Sequence, residues 1–80
     1  MRLDKFLKVS RIIKRRTVAN EACSGGRVTL NGKVAKPGAE VKVGDKMSIR
    51  FGDKYNEYEV LSIVEHAAKQ DAADMYRAKT

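Results

Sequence analysis

Eighty residues with seventeen Lys/Arg against ten Asp/Glu carry a formal net charge of +7 and leave room for one domain with a small core. One cysteine and one histidine, Cys23 and His66, exclude an internal disulfide and the usual ligand set of a zinc site, so neither a metal nor a cofactor is expected. No apolar run approaches the roughly 20 residues that span a bilayer, and Met1-Arg2-Leu3-Asp4 opens directly into charged sequence, so a cytoplasmic location away from membranes is expected.

In RLDKFLKVS, Leu3, Phe6 and Leu7 share one helical arc while Arg2, Lys5 and Lys8 recur at three-residue spacing on the other side. This predicts an amphipathic first helix with a basic outer face. RIIKRR continues or leaves that helix, with Ile12 and Ile13 as its anchors in the core. Thr17 stands where a second helix needs an N-cap, its hydroxyl accepting from an orphan backbone N–H, and Asn20 occupies the place where a capping box has Glu or Gln. Val18, Ala19, Ala22 and Cys23 form the apolar stripe of that helix, and Gly25-Gly26 ends it.

RVTL alternates as a strand, and Asn31-Gly32 is the dipeptide best suited to a tight hairpin turn, so Arg27–Leu30 is expected to pair with Lys33–Ala35. KPGAEV supplies a further turn, Val43-Gly44-Asp45 another, and Lys46–Phe51 a stronger strand. After the turn at GDKYN, EYEVLSIVE places apolar residues on both faces, the pattern of a central or doubly covered strand. In HAAKQDAADMYRAKT, Ala68, Ala72, Met75 and Tyr76 fall at helical spacing and predict a short C-terminal helix.

The charge is unevenly distributed. Through Lys36, ten Lys/Arg face only Asp4 and Glu21, whereas from Pro37 onward seven Lys/Arg face eight Asp/Glu. A net positive charge attracts RNA, DNA and anionic membrane alike. The position of Arg15 and Arg16 at a helix start, where the dipole already favours phosphate, makes nucleic acid the stronger reading over a merely solvated face. Arginine grips a phosphate through two parallel hydrogen bonds, which puts Arg16 and Arg2 first. Asp4, an acid among bases, is expected to orient a neighbouring cation. Tyr55, Tyr58 and Tyr76 suit either base stacking or the core, with the core favoured in a domain this small. His66 beside Glu65 lacks a nucleophile or second base nearby and reads as a helix-end residue; Cys23 reads as a small core filler. No enzyme is expected.

From Arg2 to Asp45 the chain resembles the S-four RNA-binding domain. The resemblance is carried by Arg2-Leu3-Asp4-Lys5, the basic segment before Thr17, Gly26-Arg27-Val28, Asn31-Gly32, Lys36-Pro37 and Val43-Gly44-Asp45. It implies an α+β fold in which two N-terminal helices, the α-L motif, pack on a small antiparallel sheet with a short C-terminal helix. The binding domain is expected over residues 1–65 and a helical tail packed on it over 66–80. RNA contacts are implied at Arg2, Lys5, Lys8, Arg11, Lys14, Arg15, Arg16 and Arg27, with Lys33 and Lys36 as weaker carry-overs, and structural support of that site at Asp4, Thr17, Asn31 and Gly32.

Within the family, RLDKFLKVSRIIKRRT, Ile49-Arg50-Phe51-Gly52 and the segment AADMY at Ala72–Tyr76 look most like the stand-alone ribosome-quality-control members of Gram-positive bacteria. That likeness implies a non-enzymatic factor, expected as a monomer, that binds stalled large ribosomal subunits. Its implied partners are ribosomal RNA, peptidyl-tRNA and the alanine-tailing factor RqcH. The alternatives are a large-subunit recycling factor of the heat-shock branch and a protein-interaction module that turns the same basic face to an acidic protein.

Overall fold

In the computed structural model, which describes residues 1–79, the chain forms α1 (Leu3–Val9), α2 (Arg16–Ser24), β1 (Val28–Leu30), β2 (Lys33–Val34), β3 (Lys46–Phe51), β4 (Lys54–Val60), α3 (Lys69–Ala72) and β5 (Tyr76–Lys79). A 3₁₀ turn at Ala73–Met75 joins the last two. The strands make one antiparallel sheet in the order β2-β1-β3-β4-β5. This is the expected α+β arrangement, with two N-terminal helices, an antiparallel sheet and a short C-terminal helix. Among the described residues no helix is long and apolar enough to cross a membrane.

The first helix has no side-chain cap, and its backbone is satisfied from across the chain. Leu3 N–H donates to the Ala39 carbonyl at 2.8 Å and Asp4 N–H to the Pro37 carbonyl at 3.2 Å. Lys5 N–H donates to the carboxylate of Asp4 at 2.8 Å. The turn at Lys36–Ala39, closed by Ala39 N–H on the Lys36 carbonyl, therefore supplies the cap, and it fixes Lys36 beside the start of α1. Leu3, Phe6 and Leu7 then point inward and join Ala19, Ala22 and Cys23 of α2 and Val28, Met47, Ile49, Val60 and Met75 in one core cluster. Each large side chain so buried contributes about 1.5–3 kcal/mol.

Two local signals act as expected. Asn31 and Gly32 take positive φ angles of 53° and 85°, and the tight turn they form puts Leu30 opposite Lys33. At the end of α2, Gly26 adopts φ 75° while its N–H donates to the Cys23 carbonyl and Arg27 N–H to the Ala22 carbonyl, so the last turn closes and β1 leaves at once. Along β3, Met47 and Ile49 are buried while Lys46 and Arg50 are exposed.

Four expectations change. Thr17 is not the N-cap of α2: the helix begins at Arg16, the cap position is Arg15, and no side chain caps it. Val18 is exposed, so the apolar stripe of α2 narrows to Ala19, Ala22 and Cys23. β4 is internal, between β3 and β5, yet it stops at Val60 and leaves Leu61 exposed. The tail is helical only over Lys69–Met75; Tyr76 begins a fifth strand. The edge of β4 presents a row of backbone groups that need partners, and pairing with β5 satisfies them. It also sets Tyr76 edge-on against Tyr58, ring centres 5.4 Å apart, and Arg77 on Glu59 at 2.7 Å.

Candidate nucleic-acid interface

The helix start at Arg16 positions the site. Arg16 and Asn20 are four residues apart, hence on one face of α2, and that face meets Asp4 of α1. Asp4 is only 2% exposed. Its carboxylate accepts from the Asn20 amide at 3.3 Å, from Arg2 Nε and Nη2 at 3.3 and 3.4 Å, and lies 3.6 Å from Arg16 Nη2. Burial alone would raise the Asp4 pKa; the Asn20 hydrogen bond, the Arg16 and Arg2 charges and the Lys5 N–H together outweigh it and hold the group below the ordinary carboxylate value. The carboxylate is thus ionised, and it gathers two guanidinium groups that remain about half exposed. Part of each guanidinium side chain stays open to solvent, an arrangement chemically suited to a phosphate. A shallow cleft of about 310 Å³ lined by Asp4, Arg16, Thr17, Asn20 and Glu21 lies at this point.

A second cluster lies beyond α1. The chain leaves the helix at Arg11, which holds φ 63°, and the turn brings Lys8, Arg11 and Lys14 around a cleft of about 330 Å³ shared with Val9, Glu65, His66 and Ala67. Lys5 reaches the same side and is paired with Glu65. That hydrogen bond and the Lys5 charge keep the Glu65 carboxyl below its ordinary value. Arg15 is exposed at the N-cap position of α2 and lines neither cleft. His66 is exposed beside Glu65, outside any helix.

The remaining candidates are dispersed. Arg27 is exposed ahead of β1, Lys33 is exposed on the edge strand β2, and Lys36 is exposed in the turn that caps α1. Asn31 does more than shape a turn: its amide donates to Asp45 at 3.1 Å and its side-chain oxygen accepts from Lys46 N–H at 3.0 Å, which ties the hairpin to β3. Gly32 supports the same turn through its positive φ. Thr17 lines the cleft beside Arg16 and caps nothing. Asn20 is the residue that sequence reasoning passed over as an imperfect capping box; its spacing from Arg16 was the available signal.

The S4 domain family model matches residues 1–46, which is more than half of the chain and runs from α1 to the first residue of β3. The chain belongs to the S4 domain family. Among its relatives, the RQC P-site tRNA stabilizing factor of Halalkalibacterium halodurans is 54% identical over 79 residues, covering 99% of this chain and 90% of that protein. The factor of the same name in Bacillus subtilis is 50% identical over 76 residues, covering 95% and 88%. Of solved structures, trimeric Heat Shock Protein 15 of Vibrio cholerae superposes with a TM-score of 0.89 at 31% identity, over 99% of this chain and 81% of that one. The matched S4 domain contains Arg2, Asp4, Arg16 and Asn20, together with Lys5, Lys8, Arg11, Lys14, Arg15, Arg27, Lys33 and Lys36. Most of β3, all of β4 and the C-terminal segment lie beyond it. In the core of this S4 domain, burial and then the nearby Asp4 charge push the Cys23 thiol up to about 11, and the side chain is a packing group as expected.

Proposed function

We propose that this chain is a ribosome-quality-control factor that binds RNA and steadies a tRNA in the P site of an obstructed large ribosomal subunit. The observation that carries the reading is the buried Asp4 carboxylate holding Arg2 and Arg16 together in a chain whose first 36 residues bear all of the excess positive charge. The relatives more than half identical along almost the whole chain, named RQC P-site tRNA stabilizing factors, point to the same role. In the finer form of the proposal, Arg2 and Arg16 grip one backbone segment, Lys8, Arg11 and Lys14 a second, and Lys5, Arg15, Arg27, Lys33 and Lys36 extend the contact over ribosomal RNA and peptidyl-tRNA. The factor works in the cytoplasm as a monomer and makes and breaks no bond. By positioning peptidyl-tRNA it supports alanine tailing by RqcH.

Two fixed clusters separated by the α1–α2 turn suit recognition of RNA shape and phosphate spacing more than base sequence. Arg16→Glu reverses the charge at the centre of the first cluster while altering a half-exposed side chain. The variant should fail to co-sediment with large subunits while still unfolding cooperatively, with a melting temperature lowered by about 4–16 °C as one attraction to Asp4 becomes a repulsion. Full retention on subunits removes Arg16 from the interface. A recycling role without tailing is the second reading, favoured by the close superposition on Heat Shock Protein 15. Undiminished alanine tails in cells lacking the protein would select it.

A further inference from the structure

Between β4 and α3 the chain crosses the basic side of α1. It is anchored on the way: Leu61 and Ser62 N–H both donate to the Met75 carbonyl, at 2.8 and 3.3 Å, and Ile63 and Ala67 pack against the core on either side of an exposed tip, Val64–His66. The tip sets Glu65 as the one acid in the lining of the cleft formed with Lys8, Arg11 and Lys14. Among the described residues those three cations have no ion-pair partner, whereas Lys5, one turn before Lys8 on α1, is paired with Glu65. Lys5 thus enters the RNA interface already holding a carboxylate. The Glu65 side chain is 67% exposed, so it can leave that pair without opening the core, unlike the buried Asp4 that gathers Arg2 and Arg16.

We infer that Glu65 is a built-in competitor for the RNA backbone: it holds the place of one phosphate at Lys5, and RNA occupies this cleft by exchanging a phosphate for the Glu65 carboxylate. Both anions accept charge-assisted hydrogen bonds from the same ammonium group, so one contact at Lys5 replaces another. Because Glu65 is tethered, it competes at an effective concentration in about the millimolar range. A free phosphate below that level does not clear the site. A backbone already held by Arg2 and Arg16 presents its next phosphates at a comparable effective concentration and does. The contact therefore favours RNA that engages both basic clusters at once. Glu65 lies beyond the matched S4 domain, so a segment outside that domain sets what its basic surface accepts. The inference rests on the RNA-binding reading above and names a regulation of that site.

The test titrates the labelled full chain with purified large subunits between about 50 and 200 mM salt. Glu65→Gln keeps the shape of the side chain and loses its charge, and it should tighten binding by about 2- to 5-fold, the strength of one exposed ion pair. The same variant should steepen the slope of log affinity against log salt by about 0.7–0.9, as Lys5 becomes free to neutralise one phosphate more. Glu57→Gln removes an equal charge from the open face of the sheet, opposite Ser48, and should do neither. Lys5→Gln measures the coupling: it should weaken binding about 2- to 5-fold more in the Glu65→Gln background than in the parent, since only there does Lys5 meet phosphate without first losing a partner. Unchanged or weaker binding by Glu65→Gln, a gain matched by Glu57→Gln, or equal effects of Lys5→Gln in the two backgrounds overturns the exchange. If any of these occurs while Arg16→Glu still releases the protein from subunits, only the role of Glu65 falls; if the parent chain does not bind subunits, the functional reading falls with it.

Discussion

Replacing Asp4 by Asn separates charge from architecture. The substitution keeps the shape of the side chain and an acceptor for Lys5 N–H, but it removes the negative charge that gathers Arg2 and Arg16. The two arginine pairs are half exposed, so each contributes only about 0–1 kcal/mol. The contact to the Asn20 amide is buried on the Asp4 side and loses its charge assistance, worth roughly a further 1 kcal/mol. A total loss of about 1–3 kcal/mol corresponds to a fall in melting temperature of about 4–24 °C for a domain of this size.

Binding provides the sharper contrast. Asp4→Asn raises the net charge, so simple attraction predicts tighter association with RNA. If Asp4 acts by orienting two arginines, their freedom must instead be lost on binding, at about 0.5–1.5 kcal/mol per side chain. That predicts about 5- to 100-fold weaker association with large subunits. Titration of the labelled protein with purified subunits at fixed salt measures the difference. A folded Asp4→Asn protein that binds as tightly as the parent, or more tightly, refutes the orienting role. Acid gives a parallel test. Because the folded-state pKa of Asp4 lies below its ordinary value of 3.8, its stabilising contribution is complete above that value and is lost as pH falls through the lower one. The parent should therefore show a loss of melting temperature below about pH 4 that is shallower in Asp4→Asn.

Two further outcomes probe the fold. Met75 is fully buried in the core although it precedes the last strand, so Met75→Ala should cost about 2–5 kcal/mol in chemical denaturation; a loss below about 0.5 kcal/mol, the range of ordinary surface substitutions, would show that the C-terminal segment is loosely attached. Cys23 is buried with its thiol pushed up to about 11, so at pH 8 it should react with a thiol reagent only as fast as the protein opens; labelling at the rate of a free thiol would contradict its place in the core.

Much of this architecture is legible in local chemistry. Asn31-Gly32 demands a positive-φ turn whatever surrounds it, and Lys46–Phe51 alternates so regularly that its bounds are readable to the residue. That Asp4 pairs with neighbouring cations also follows from an acid placed among bases. Thr17 misleads because capping preference is a weak local term. Starting α2 at Arg16 aims Arg16 and Asn20 at Asp4, and that tertiary gain decides the boundary. The last segment misleads differently: Ala68, Ala72, Met75 and Tyr76 do have helical spacing, but the free edge of β4 draws Tyr76 into a strand. The grouping of Lys8, Arg11 and Lys14 with Glu65 and His66, far apart in sequence, needed the folded chain.

The central claim is that the basic N-terminal surface meets tRNA on an obstructed large subunit. The most direct measurement is purification of the tagged protein from cells, followed by identification of the RNA that accompanies it. The account predicts large-subunit ribosomal RNA together with peptidyl-tRNA, both lost in Arg16→Glu. Recovery of an acidic protein partner that survives nuclease treatment, with no tRNA present, would contradict it.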